Sequence, residues 1–373
     1  MNKLVIFLAI SAAVVLIAFL VPAKRENVVL SDEKVYVAAE DDGIIAVIDP
    51  VKLAVVSRID LSEGHQGGML MFAPHNVQVS PDNKSVWVTA NVNMQMDHTS
   101  FFAPSARAHG DEMTDTEELD EVIVINPETD RIVKRIPIAA GVHLAHVAFT
   151  PDGAFAYVTA QNEGAAYKIN VRTFAVEKRI ALPEASQPHG LRIAPDGLTA
   201  YLAMLGSKGM GIIDTATDSF THMPLDGAAV QTGVTPDGKF AVVSLYDTKQ
   251  LAIYRPDTKA VSYVRLPASA KGPVQMYPTP DSRFVYLADQ GYYFQQPPSE
   301  WVYKIDLAEG KITDVIKAGQ APHGVVVSRD GAFVYVSNLL SNDVSVIDAG
   351  ADREITRIPV GKSPNGVSVW YRP

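Results

Sequence analysis

The sequence predicts an all-β fold built by repeating one unit of four short strands, and three observations predict it. First, a turn of the Pro-Asp-Gly type recurs at Pro81-Asp82-Asn83, Pro151-Asp152-Gly153, Pro195-Asp196-Gly197, Pro236-Asp237-Gly238, Pro280-Asp281-Ser282 and Arg329-Asp330-Gly331, with Asp-to-Asp steps of 70, 44, 41, 44 and 49 residues. Proline fixes φ, aspartate can bond its own backbone and glycine accepts positive φ, so each is a tight hairpin turn. Second, short apolar strands flank every turn, as with residues 77–80 before and Val86-Trp87-Val88-Thr89 after the first. Third, a third strand ends in Ile-Asp or Ile-Asn (Ile48-Asp49, Ile125-Asn126, Ile169-Asn170, Ile213-Asp214, Ile305-Asp306, Ile347-Asp348), and a fourth carries forms such as Arg135-Ile136-Pro137 or Arg357-Ile358-Pro359. Four short strands at this period are the mark of a β-propeller blade.

Taken in order, the chain opens with an apolar run over residues 4–23, flanked by Lys3 and by Lys24-Arg25. A run of about 20 apolar residues is long enough to span a bilayer as a helix. Residues 1–26 are therefore expected to form one hydrophobic helix, a signal peptide or an uncleaved membrane anchor, and to place the remainder in the periplasm or outside the cell. Residues 27–373 are expected to be a single propeller domain. Residues 34–61 supply only three strands, and six full units begin their first strand near residues 74, 143, 188, 229, 273 and 322. Residues 363–371 supply one strand more. The count is seven blades, with the C-terminal strand pairing with the N-terminal three to close the ring and leave no open sheet edge.

Composition bounds the function. The 373-residue chain is 47% hydrophobic and 20% charged, which suits a folded domain rather than a disordered one. Its 42 acidic and 32 basic residues give a net charge of −10, and without a basic patch such a surface does not suit nucleic acid. The absence of cysteine excludes disulfides, a zinc ribbon, thiol catalysis and haem attached through Cys-x-x-Cys-His.

The segments Val334-Tyr335-Val336-Ser337-Asn338, Asp343-Val344-Ser345-Val346-Ile347-Asp348 and Arg357-Ile358-Pro359-Val360 resemble the YVTN β-propeller repeat, and the resemblance covers residues 33–373. The repeats and the Pro-His-Gly segments are also similar to the haem-binding propeller of cytochrome nitrite reductases and to lactonase-like propellers. The resemblance implies the fold. It leaves function open, because a fold hosts many activities. The nitrite reductase type has eight blades, which sets haem behind other ligands for a chain counted at seven.

In such a blade, the loops between blades and between the second and third strands share one face, and the Pro-Asp-Gly turns lie on the other. The longest loops, at 62–73, 92–120 and 290–300, all fall on the first face. Long loops on a rigid scaffold usually carry function. On the first strands, His75, His189 and His323 lie seven residues before the turn aspartate, Asn365 takes that place in the last strand, and His146, Gln231 and Gln275 lie one residue later. Together these are expected to line the mouth of a central channel. The one-residue offset leaves open whether both sets face the axis, because successive residues of a strand point to opposite faces.

Residues 65–113 hold five of the ten methionines and four of the nine histidines, including His65, Met69, Met71, Met94, Met96, His98, His109 and Met113. Thioethers suit Cu(I), and imidazole suits copper or zinc. The candidate metal set is thus His75, His146, His189, His323, Met94, Met96, His98 and His65, with copper or zinc as the ion. The bland alternative is a flexible apolar lid. No metalloprotease motif, nucleophile elbow or phosphate loop is present. The reading is a ligand-binding protein, with a small ligand or metal ion, or another exported protein, as partner. The alternatives are a lactonase-like or haem-associated enzyme that uses the channel histidines, and a protein-interaction scaffold. Acid/base chemistry would need a nearby carboxylate. Glu40, Asp41, Asp42, Glu163, Asp289 and Asp343 are the candidates on this face, each expected to be a solvated loop charge. Tyr292-Tyr293-Phe294 is expected to pack over the disc.

Overall fold

A computed structural model describes residues 32–65, 68–92 and 118–372. The predicted N-terminal helix and the Met94-Met96-His98 segment lie outside the described residues. Among the described residues no helix is long and apolar enough to cross a membrane.

The described residues are all-β apart from one short 3₁₀ turn, Tyr292–Phe294, and their strands form antiparallel four-stranded sheets in chain order. The C-terminal strand Pro364–Tyr371 pairs with Glu33–Ala39, which continues into Ile44–Asp49 and Ala54–Asp60. Phe72–Val79 opens the second sheet and Leu144–Phe149 the third. The strand Phe220–Val234 joins two four-stranded units: its first half pairs with Lys208–Asp214 and its second with Ala241–Leu245. Pro273–Pro278 and Pro322–Val327 open the last two sheets. The opening strand of each sheet lies against that of the next, and Pro364–Tyr371 lies against both Pro322–Val327 and Phe72–Val79. This is a propeller-type arrangement.

The recurring residues explain the recurring strands. In the turn at Pro151, the Thr150 hydroxyl donates to Asp152 Oδ1 at 2.6 Å, the Ala154 amide donates to the same oxygen at 3.0 Å, and Gly153 takes φ 69°. The aspartate that ends a third strand caps the following turn: Asp49 Oδ1 accepts from the amides of Val51 and Lys52 at 2.9 and 3.1 Å. The core lies between neighbouring sheets. Trp87 packs edge-on to Phe149 of the next sheet, with ring centres 5.3 Å apart, in a cluster with Val122, Val147 and Val158. Each such buried side chain stabilises by about 1.5–3 kcal/mol.

A β-bulge interrupts each opening strand near its start, between Pro74 and Asn76, Leu144 and Val147, Pro188 and Leu191, Ala229 and Thr232, Pro273 and Met276, and Pro322 and Val325. The Pro364–Tyr371 strand shifts register at the same place. A bulge re-aims side chains, and the predicted channel residues lie at these bulges.

Candidate functional site

The bulges bring both offset sets together. His75, His146, His189, His323, Gln231, Gln275 and Asn365 are all buried. His75 Nε2 and His189 Nε2 stand 3.3 Å apart. The His146 and His189 rings lie 5.0 Å apart, and Gln231 Nε2 reaches His146 Nδ1 at 3.3 Å although its sheet is two removed. Gln275 Nε2 donates to Asn365 Oδ1 at 3.4 Å, and Asn365 Nδ2 lies 3.1 Å from His75 Nδ1. His323 Nδ1 accepts from Gln290 Nε2 at 2.6 Å.

Glycine makes this convergence possible. Pro188-His189-Gly190 and Pro322-His323-Gly324 place glycine where Leu144-Ala145-His146 and Ala229-Val230-Gln231 carry the polar residue. A Cβ on Gly190 would fall on the Gln231 side chain and within 2.5 Å of its Cα. One on Gly366 would fall 2.7 Å from Asn76 Cα. The small residue on one strand leaves the space that its neighbour's side chain fills. Hydroxyls of the second strands tie the bulges in place: Thr159 Oγ1 accepts from the His146 amide at 3.0 Å and donates to the His189 carbonyl at 2.7 Å.

Three of the predicted ligands form a metal-capable group. One nitrogen from each of His75, His146 and His189 lies within 4.8 Å of the other two, and all three residues are buried. His323 does not join that group. His65 lies on the short strand Glu63–His65, which pairs with Gly68–Leu70 inside the long 62–73 loop. Met69 and Met71 are exposed.

Hydrogen bonds fix the protons. His189 Nδ1 donates to the Val230 carbonyl at 2.8 Å, so its Nε2 carries a lone pair. Gln231 Oε1 accepts from the Thr232 amide at 2.9 Å, which turns its NH₂ to His146 Nδ1 and puts the His146 proton on Nε2. Burial pulls the His146 and His189 pKa values well below 6.5, and neighbouring imidazoles add to the shift. Burial likewise lowers His323 to about 3.

The expectation of solvated carboxylates is wrong for two residues. Glu40 is buried against His75, with Oε1 3.3 Å from His75 Nδ1 and Oε2 accepting from Asn365 Nδ2 at 3.1 Å. The buried Tyr293 hydroxyl bonds Glu40 as well, and burial holds that phenol far above its ordinary pKa. Tyr293 thus joins the site, with its ring edge-on to His323 at 5.5 Å, while Phe294 stacks on Tyr246 as packing. Asp289 is also buried, but it accepts from the Lys271 and Gly272 amides and only shapes a loop. Glu163 pairs with Tyr167 and Arg179, and Asp343 with Asn338, both away from the cluster.

Sequence reasoning missed His143 and Gln290. The His143 ring lies 5.1 Å from His75, its Nε2 is shut away without a partner, and burial lowers its pKa to about 4. Its signal was positional: it precedes Leu144 as Gln187, Ala321 and Ser363 precede their prolines, and all four have φ between 44° and 54°.

No protein-family model matches the chain, and no curated protein matches it. Solved structures do. Hydrazine synthase of Kuenenia stuttgartiensis is similar over 79% of this chain and 88% of its own, with TM-score 0.63 and 18% identity. A protein of unknown function from Desulfotomaculum acetoxidans is similar over 91% and 99%, with TM-score 0.68 and 13% identity. A dihydro-heme d1 dehydrogenase is similar over 90% and 74%, with TM-score 0.56 and 14% identity. At these identities the likeness shows a propeller-like fold alone.

Proposed function

We propose that this chain is an exported, closed seven-bladed propeller of the YVTN type that holds one copper or zinc ion by His75, His146 and His189. Reading Phe220–Val234 as the outer strand of one blade and the inner strand of the next gives seven blades, and the contacts of Pro364–Tyr371 on both sides support closure. The apolar run at residues 4–23 supports export.

The observation that carries the metal reading is the 3.3 Å approach of His75 Nε2 to His189 Nε2. The His189 atom bears a lone pair, because its proton is committed to Val230. His75 Nδ1 lies 3.3 Å from Glu40 Oε1 and 3.1 Å from Asn365 Nδ2. With its proton on Nδ1, His75 would present to His189 a second lone pair able to share a cation, and with the proton on Nε2 the two imidazoles form a hydrogen bond that a metal would replace. Ligands at about 2.0–2.1 Å from a tetrahedral ion stand about 3.3 Å apart. Glu40 on Nδ1 of His75 and the Val230 carbonyl on Nδ1 of His189 are the outer partners that orient ligating imidazoles and raise their basicity. His146 is the third imidazole of the group, and it would have to give up its Nε2 proton to ligate through that atom. Three imidazoles without thiolate suit copper or zinc.

The test is elemental analysis and Cu(II) or Zn(II) titration of the untagged protein. One ion per chain is expected, lost in His189→Ala and His75→Ala. A folded wild-type protein that takes up neither ion refutes the reading.

A further inference from the structure

The opening strands continue past the histidine cluster toward the Pro-Asp-Gly turns, and there they enclose a second cavity of about 270 Å³. Gln78, Phe149, Arg192, Val234 and Tyr277 contribute to its wall. Pockets for drug-sized ligands usually start near 300 Å³, so this one suits something smaller. Arg192 is the cation in that wall. Among the described residues it makes no ion pair, and its one hydrogen bond runs from Nη1 to its own neighbour's carbonyl, Leu191, at 2.8 Å. A guanidinium offers five donors, and most of these have no acceptor here.

No acidic residue lines the cavity among the described residues, and Pro81 and Pro236 in its wall belong to two of the turns. The turn aspartates at this end fold back on themselves: Asp82 accepts from the Ser80 hydroxyl and the Lys84 amide, and Asp237 from the Thr235 hydroxyl and the Lys239 amide. Burial lowers the Arg192 pKa, and Tyr277 is the ionisable group that offsets this. The Arg192 charge also reaches His146, whose pKa it helps depress. Arg192 is half-buried, so its guanidinium is unpaired without being sealed from solvent. A guanidinium in the wall of a small cavity that Gln78 and Tyr277 also line has a donor set that recognises a planar or tetrahedral oxyanion.

We propose that this cavity binds a small oxyanion, a carboxylate or a phosphate, with Arg192 as its fixed counter-charge. The site is distinct from the histidine cluster and does not depend on a metal there.

The experiment is calorimetric titration of the chelator-treated full chain with sodium acetate and, separately, with inorganic phosphate, each against a chloride control. Saturable binding of at least one anion is expected, weakened at least tenfold in Arg192→Gln and less in Arg192→Lys. Acetate binding without phosphate binding assigns the carboxylate class, and the reverse assigns phosphate. Absence of saturable binding overturns the proposal, as does binding that survives unchanged in Arg192→Gln. Should Arg192→Gln fail to fold, Tyr277→Phe and Gln78→Leu carry the test: a loss of affinity supports the site, and unchanged affinity in both overturns it. Because metal is stripped throughout, failure here leaves the histidine reading untouched, and failure of metal uptake leaves this one untouched.

Discussion

Lowering the pH from 7 to 5 should remove much of the stability of the metal-free protein, and the histidine cluster sets the amount. His146, His189 and His323 are fully buried, with pKa values pushed down by burial, to about 3 for His323 and well below 6.5 for the other two. In the unfolded chain each titrates near 6.5. Above that pH neither state binds the proton and stability is flat. Below it the unfolded chain takes up protons that the folded protein refuses, so stability falls until the folded pKa is reached. The limiting slope is about 1.36 kcal/mol per pH unit and per group. Integrated from pH 7 to 5, this amounts to about 2 kcal/mol for His323, and His143, His146 and His189 add to it in the same direction. That is a large part of the 5–15 kcal/mol typical of a folded domain. Urea unfolding in a chelator, followed by the fluorescence of the buried Trp87 and Trp370, measures it at pH 5, 6 and 7. His323→Gln should keep the fold and reduce the stability lost between pH 7 and 5 by about 2 kcal/mol. Equal stability at pH 5 and 7 would refute the buried, neutral cluster, as would an unchanged pH dependence in His323→Gln.

Three further outcomes follow from the same geometry. Glu40→Gln removes the charged outer partner of His75 and should weaken metal binding about 10–100-fold in a competition titration while the far-ultraviolet circular dichroism stays unchanged. Gln231→Glu puts an acceptor on His146 Nδ1 in place of a donor, moves the imidazole proton there and should strengthen metal binding in the same assay. Gly190→Ala drives a methyl group into Gln231 and should destabilise the fold by at least about 3 kcal/mol in urea unfolding, with Gly153→Ala, whose added Cβ would meet nothing within 4 Å, as the milder comparison.

The fold was legible because its signals are local. Pro151-Asp152-Gly153 writes a turn through its own hydrogen bonds, and Ile48-Asp49 writes the end of a strand through the cap that Asp49 supplies. The site was legible only in part, because its geometry comes from bulges and from the approach of strands distant in sequence. Residue spacing alone put His189 and Gln231 on opposite faces of their strands, whereas the bulges at Pro188 and Ala229 turn both inward. Glu40 looked like a loop charge because nothing near it in sequence shows that His75, Asn365 and Tyr293 close over it. His143 and Arg192 stood outside the repeat pattern of polar positions, so periodicity gave no reason to single them out.

The closing argument concerns what the cluster costs. His143 Nε2, His146 Nε2 and His323 Nε2 are shut off from solvent with no hydrogen-bond partner among the described residues. A buried polar atom left unsatisfied costs about 1–3 kcal/mol. Closing a ring of blades does not require this. Ala145, Val230 and Val274 hold the first bulge position in three of the sheets, while His75, His189, His323 and Asn365 hold it in the others. An apolar side chain at the His323 position would build the same strand without its orphaned nitrogen, as Ala145, Val230 and Val274 do in theirs. The polar cluster therefore weakens the fold where packing alone would do, a cost that proteins characteristically accept at functional sites. A cation held by His75, His146 and His189 would turn the orphaned His146 Nε2 into a ligand, and metal should then raise the unfolding midpoint in proportion to the logarithm of its free concentration. A midpoint that ignores added Cu(II) and Zn(II) would leave those nitrogens to a ligand of another class.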